Sequence, residues 1–109
     1  MISQLLFMLL AAAPADRIND ARRAYSTCLT GLVKSELDAK TEPAAFEGKL
    51  ATACQSERAA FRDAIVAVDV SAGIKRPVAE ENAATEIEDF ISNAKESYRD
   101  YFETKTRPG

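Results

Sequence analysis

The stretch that decides the fold is residues 28–54, CLTGLVKSELDAKTEPAAFEGKLATAC, which begins and ends on the two cysteines of the chain. Its centre, Thr41-Glu42-Pro43, is typical of a turn, and each cysteine lies 13 residues from Thr41. A helix rises about 1.5 Å per residue, so two helices leaving this turn would carry both sulfurs about 20 Å from it, at the same level. Facing Cα atoms of packed helices lie roughly 4–5 Å apart, which a disulfide tolerates. The stretch therefore predicts a helical hairpin closed by a Cys28–Cys54 disulfide.

The N-terminus has the pattern of a cleaved secretory signal peptide, which we assign to residues 1–15. Leu5 to Ala13 are apolar without interruption, and Ala13-Pro14-Ala15 supplies the small-x-small cleavage pattern. The run is shorter than the about 20 apolar residues that cross a bilayer. Residues 1–4 lack the basic side chain of most signals, and the competing interpretation is the apolar start of a cytosolic helix. We expect an exported protein, periplasmic or secreted, in a compartment where the cysteines pair.

Apolar spacing divides the remaining chain into three predicted helices, at about residues 17–40, 41–73 and 77–103. The first carries a heptad seam, and the second ends where Gly73 suits the left-handed position after a helix. Pro77 then suits the first position of the third helix. We therefore predict an all-α domain over residues 16–104, an up-down-up three-helix bundle, followed by a flexible tail at 105–109.

Folding the third predicted helix back on the second sets a testable register. It places Phe61 near Glu88 and Phe46 near Phe102, to within about one helical turn. The same apolar stripes suit a monomer and an antiparallel dimer, so homo-oligomerisation stays open.

Composition narrows the classes of function. The net charge of −3 gives no electrostatic footprint for nucleic acid or an anionic membrane. The chain has no histidine, which is the commonest general base and metal ligand, and it has no Cys-x-x-Cys or glycine-rich phosphate loop. We expect a protein that is not an enzyme and holds no metal or cofactor; a mechanism built on carboxylates alone is the remaining enzymatic alternative.

One candidate interface lies at the end of the third predicted helix. It has the aromatic and arginine composition that binding hot spots share, in Tyr98, Arg99, Tyr101 and Phe102. At helical spacing the same residues are also typical of the end of a core. The leading hypothesis is that this surface binds a protein, or another macromolecule, of the cell envelope.

A second candidate is a polar cluster inside the bundle, where the apolar stripe of the second helix is interrupted. The predicted register brings together Tyr25, Glu57, Arg58, Ser92 and Asn93. One interpretation is a structural network in which the Tyr25 hydroxyl bonds to Glu57 or Arg58. The functional alternative is a site for a small ligand, which would make the protein a carrier.

Overall fold

The computed structural model describes residues 14–109, so the predicted signal peptide, residues 1–15, lies almost entirely outside the described residues. Residues 14–109 form helices joined by turns, without a strand: α1 (Pro14–Asp38), α2 (Pro43–Leu50), α3 (Gln55–Ser71) and α4 (Arg76–Thr104). The all-α prediction is confirmed. The prediction of three helices is corrected to four, because the second predicted helix is divided into α2 and α3. None of these four helices is long and apolar enough to span a membrane.

The break between α2 and α3 lies at the disulfide cysteine. Cys54 adopts the left-handed conformation (φ 56°), which no continuous right-handed helix contains. The Arg58 guanidinium donates a hydrogen bond of 2.9 Å to the carbonyl oxygen of Ala51, one of the groups freed at the end of α2. Arg58, predicted to belong to a polar cluster, therefore stabilises the break between α2 and α3.

The other turns follow one hydrogen-bonding scheme. At the end of α3, Gly73 has φ 95°, and the N–H of Ile74 donates to the carbonyl of Asp69 at 3.0 Å. This is the Schellman arrangement that the sequence predicts at Gly73. At the end of α1, Lys40 has φ 57°, and the N–H of Thr41 donates to the carbonyl of Glu36 at 3.0 Å.

The helix that follows the first turn begins without a side-chain cap. Glu42 is the N-cap residue and Pro43 opens α2. The Thr41 hydroxyl does not cap α2 but donates to the Glu36 carboxylate at 3.0 Å. Glu36 also accepts a hydrogen bond from the Lys49 ammonium group, so one buried carboxylate links α1, the turn and α2.

The predicted Cys28–Cys54 disulfide is confirmed, but the predicted hairpin of two continuous helices is corrected, because α2 ends at Leu50 and Cys54 lies in the break before α3. Cys28 on α1 and Cys54 are bonded, with their Cα atoms 6.0 Å apart. α1 packs mainly on α3, whereas α2 lies against α4. Phe61 contacts Phe90 while the later Asp69 accepts a hydrogen bond from the earlier Asn82, so α4 runs antiparallel to α3. Arg22 pairs with Glu86 while the later Tyr25 contacts the later Phe90, so α4 runs parallel to α1.

Aromatic rings dominate the core. Tyr25, Phe61 and Phe90 meet in one group, with ring centroids 5.4–6.1 Å apart. Phe46 stacks on Tyr98, with ring centroids 3.9 Å apart, and Tyr98 lies one helical turn before the predicted partner Phe102. Phe61 contacts Phe90, which lies two residues after the predicted partner Glu88. The remaining fully or largely buried apolar residues are Leu29, Val33, Leu50, Ile65, Val66, Ala79, Ala83, Ile87 and Ala94.

Candidate functional site

The ends of α1 and α4 and the segment after α4 enclose a groove of about 470 Å³, here called the C-terminal groove. Its volume lies within the range of about 300–1,000 Å³ of ligand pockets. The ends of α1 and α4 lie side by side because the two helices run parallel. The groove is lined by Leu37, Asp38, Lys40, Tyr101, Phe102, Lys105, Thr106 and Arg107.

Aromatic stacking supports the floor of this groove. Phe102 stacks on Tyr98 with ring centroids 6.2 Å apart, and Tyr98 stacks on Phe46. The Tyr98 hydroxyl donates a hydrogen bond of 2.6 Å to the carbonyl of Thr41 in the α1–α2 turn. Phe102 therefore packs on a fully buried tyrosine, which is held in place by its stacking on Phe46 and by its hydrogen bond to Thr41.

The rim of the C-terminal groove is basic, although the chain carries a net charge of −3. Arg107 forms an ion pair with Asp38 at 3.4 Å, which ties the segment after α4 to the end of α1. Lys40 and Lys105 form no ion pair within residues 14–109, and both side chains are exposed. Two uncompensated positive charges therefore face solvent beside Tyr101 and Phe102.

Both lysines occupy backbone positions that favour glycine. Lys40 has φ 57° and Lys105 has φ 56°. The left-handed conformation costs a residue with a side chain about 1–2 kcal/mol. A cation at a helix C-terminus recovers about 0.3–1 kcal/mol through the helix dipole. The conformational cost exceeds this gain, so backbone stability alone does not account for lysine at these two positions.

The predicted interface residues are divided between core and surface. Tyr98 is completely buried, so the folded protein offers no part of it to a partner. Tyr101 and Phe102 are half-buried and line the C-terminal groove. Arg99 is exposed on another side, where it pairs with Glu47 on α2 at 3.3 Å.

A second groove, here called the α1–α4 groove, runs between those two helices and has a volume of about 320 Å³. No charged side chain lines it, although 28% of the residues in the chain are charged. Tyr101 belongs to both grooves, and Pro108 closes one side. The full lining is Ser26, Leu29, Thr30, Val33, Phe90, Asn93, Ala94, Ser97, Tyr101 and Pro108.

The predicted polar cluster is distributed over different surfaces. Asn93 lines the α1–α4 groove, whereas Glu57 lies in a shallow depression with Asp20 and Arg23 on the α1–α3 side. Ser92 is exposed and lines neither groove. The hydroxyl of Tyr25 is buried and has no hydrogen-bond partner within residues 14–109, so the network expected around it is absent there.

Three groups have displaced pKa values, and each displacement has a structural cause. The hydrogen bond from Lys49 is the main cause that lowers the pKa of Glu36, against a smaller opposing effect of burial. Burial raises the pKa values of Tyr25 and Tyr98. None of these three residues lines either groove. None of the three therefore faces either groove as a general acid or base would.

The part of the chain that the structure describes contains no group of three or more histidine, cysteine, aspartate or glutamate side chains placed to hold a metal ion. Both cysteines are in the disulfide, so neither is a free thiol.

No known protein family matches the sequence, and comparisons with curated proteins and with solved structures find no similar protein. The function must therefore be inferred from the chain's own residues.

Proposed function

We propose that this protein is a non-enzymatic binding protein of the cell envelope, which attaches to another macromolecule through the C-terminal groove. The observation that carries the proposal is the juxtaposition of a half-buried aromatic pair, Tyr101 and Phe102, with the exposed basic groups Lys40 and Lys105. Aromatic floors with a polar rim are typical of binding hot spots. The disulfide and the signal-like N-terminus support an oxidising compartment outside the cytoplasm.

The aromatic floor is well supported, which favours binding. Tyr98 holds Phe102 from inside, and the exposed Arg107–Asp38 ion pair lies at the outer wall. A groove that already has its shape loses little conformational entropy when a partner enters it. The groove therefore combines apolar area with little reorganisation.

The proposal is tested by site-specific photocrosslinking in the native host. A photoreactive amino acid replaces Thr106 at the rim of the groove; the matched control replaces Ala60, which is exposed on α3. We expect one defined adduct from position 106 and none from position 60. The absence of an adduct at 106, or the same adducts at both positions, would show that the groove is not a binding surface.

The second candidate, a small-ligand carrier, is favoured by one observation on the α1–α4 groove. The hydroxyls of Ser26, Thr30 and Ser97 have no hydrogen-bond partner within residues 14–109, whereas those of Ser71 and Thr85 bond to their own helices. Uncommitted hydroxyls beside Phe90 suit a small, uncharged ligand. Native mass spectrometry of protein purified from its host distinguishes the two functions, since a carrier would retain a small added mass.

A further inference from the structure

We infer that the C-terminal groove recognises an acidic segment of a protein partner, in which carboxylates flank a large apolar side chain. This inference rests on the proposed function and specifies the chemistry of the partner. Lys40 and Lys105 would bind the carboxylates, while Leu37, Tyr101 and Phe102 would contact the apolar side chain.

Charge complementarity selects the occupant. The groove is lined by three basic side chains and one acidic side chain, and the acidic one, Asp38, is already paired with Arg107. The two remaining lysines have no internal partner within residues 14–109. An anionic segment gains from both lysines, whereas a basic segment would meet uncompensated like charge.

The floor distinguishes a protein segment from a bare anion. Leu37, Tyr101 and Phe102 offer apolar and aromatic surface that a phosphate or a free carboxylate would leave uncovered. A large apolar side chain between acidic residues covers this surface and brings its neighbouring carboxylates to the rim. Aromatic anchors in such pockets supply most of the affinity, while rim charges supply orientation and on-rate.

The backbone conformation separates a role in binding from a role in folding. Lys40 and Lys105 occupy left-handed positions that glycine would fill without strain. If the lysines serve binding, replacing each with glycine leaves the fold at least as stable and weakens the partner complex. A purely structural lysine would show no change in binding.

The test is an NMR titration of the disulfide-bonded protein with two blocked peptides, Asp-Glu-Leu-Phe-Glu-Asp and its neutral counterpart Asn-Gln-Leu-Phe-Gln-Asn. We expect the acidic peptide to shift amide signals of the C-terminal groove at about 20 mM salt, and to bind much more weakly at about 300 mM. The neutral peptide should bind several-fold more weakly at low salt. Vesicles containing phosphatidylglycerol are a third probe, and we expect no binding to them.

Two double variants complete the test. Lys40→Gln with Lys105→Gln should lower the affinity for the acidic peptide about three- to tenfold. The control, Lys75→Gln with Arg76→Gln, makes the same change in net charge at the opposite end of α4 and should leave the affinity within about twofold. Lys40→Gly should weaken binding while the melting temperature stays equal or rises.

Equal effects of the two double variants, equal binding of the two peptides, or binding of vesicles but not of the acidic peptide would each overturn the inference. A crosslink at position 106 together with such a result would leave the proposed function intact and reject only the acidic partner. No crosslink at that position would reject both.

Discussion

The two buried tyrosines allow one sharp prediction, because the same substitution should have opposite effects at the two positions. Tyr98 and Tyr25 are both completely buried. The hydroxyl of Tyr98 donates to the carbonyl of Thr41 at 2.6 Å, whereas that of Tyr25 has no partner within residues 14–109. Tyr98→Phe removes a part-buried hydrogen bond, and Tyr25→Phe removes a buried hydroxyl that bonds to no group in residues 14–109.

The magnitudes follow from these environments. Losing this part-buried hydrogen bond and leaving the carbonyl of Thr41 without its partner costs about 1–2 kcal/mol in the free energy of unfolding. Removing an unsatisfied buried hydroxyl recovers part of its desolvation cost, about 1 kcal/mol. In a domain of this size, each 1 kcal/mol moves the melting temperature by about 4–8 °C. We expect Tyr98→Phe to melt lower than the parent protein, and Tyr25→Phe to melt at or above it.

The assay is thermal and urea unfolding of the parent and both variants with the disulfide intact. Because both variants lose the same hydroxyl, changes in the unfolded state largely cancel, and the difference between them reports the two folded environments. The reasoning predicts a difference of about 2–3 kcal/mol. Equal destabilisation of the two variants would refute the reasoning. It would mean that the Tyr25 hydroxyl forms a hydrogen bond as strong as that of the Tyr98 hydroxyl.

Three further predictions concern the disulfide, the glycines and a buried carboxylate. Replacing Cys28 and Cys54 with serine should keep the helices, measured by circular dichroism, but lower the free energy of unfolding by about 3.5 kcal/mol, because the bond closes a loop with a sequence separation of 26 residues; an unchanged melting temperature would contradict this. Gly31→Ala, where an added methyl group meets open space, should stabilise the protein by about 1 kcal/mol, whereas Gly73→Ala, at φ 95°, should destabilise it. Melting temperatures that shift in the same direction in both variants would contradict the different roles of the two glycines. Glu36 has a folded pKa below its ordinary value of 4.5, so its contribution to stability is complete above pH 4.5 and is lost as the pH falls through the folded pKa. Glu36→Gln should therefore reduce the loss of unfolding free energy at acidic pH, measured by urea unfolding at several pH values. An unchanged pH dependence would show that this carboxylate is not linked to folding.

Local signals and chain spacing were enough to predict several features of the fold. Gly73 followed by an apolar residue and Pro77 predicted the end of α3, because the left-handed conformation there needs only local hydrogen bonds. The equal spacing of Cys28 and Cys54 about the turn predicted their pairing. The register of α4 was predicted to within a turn, since large apolar residues on two facing helices have few ways to meet.

The break between α2 and α3 could not be predicted from the apolar pattern. Leu50, Cys54 and Phe61 keep helical spacing across it, and no glycine or proline marks it. The signal was the polar interruption at Arg58, whose guanidinium bonds to the carbonyl of Ala51. The sequence shows that a polar residue interrupts the stripe, but not that its partner is the backbone of the preceding helix.

The C-terminal groove was also missed in part, because its parts come from separate segments. Tyr101 and Phe102 were singled out by their composition, but Lys40 lies 61 residues before Tyr101, and it reaches the same groove only because α1 and α4 run parallel. Tyr98 was grouped with them because sequence spacing does not distinguish a stacked core ring from an exposed one. Tertiary packing decides both whether Lys40 reaches the groove and whether the Tyr98 ring is buried.

The molecule contains its own comparison for the role of the two lysines. Three helices end with a left-handed residue, followed by an N–H that bonds to the carbonyl five positions earlier: α1 at Lys40, α3 at Gly73 and α4 at Lys105. The hydrogen bonding is the same in all three turns, so the backbone alone would favour glycine in each. Glycine occurs at the turn away from the C-terminal groove, and lysine occurs at the two turns that line it. A requirement of helix termination would act on all three turns alike, whereas a requirement for positive charge at the groove acts on these two alone. The distribution therefore favours binding as the reason for both lysines, and the glycine substitution at Lys40 measures that preference directly.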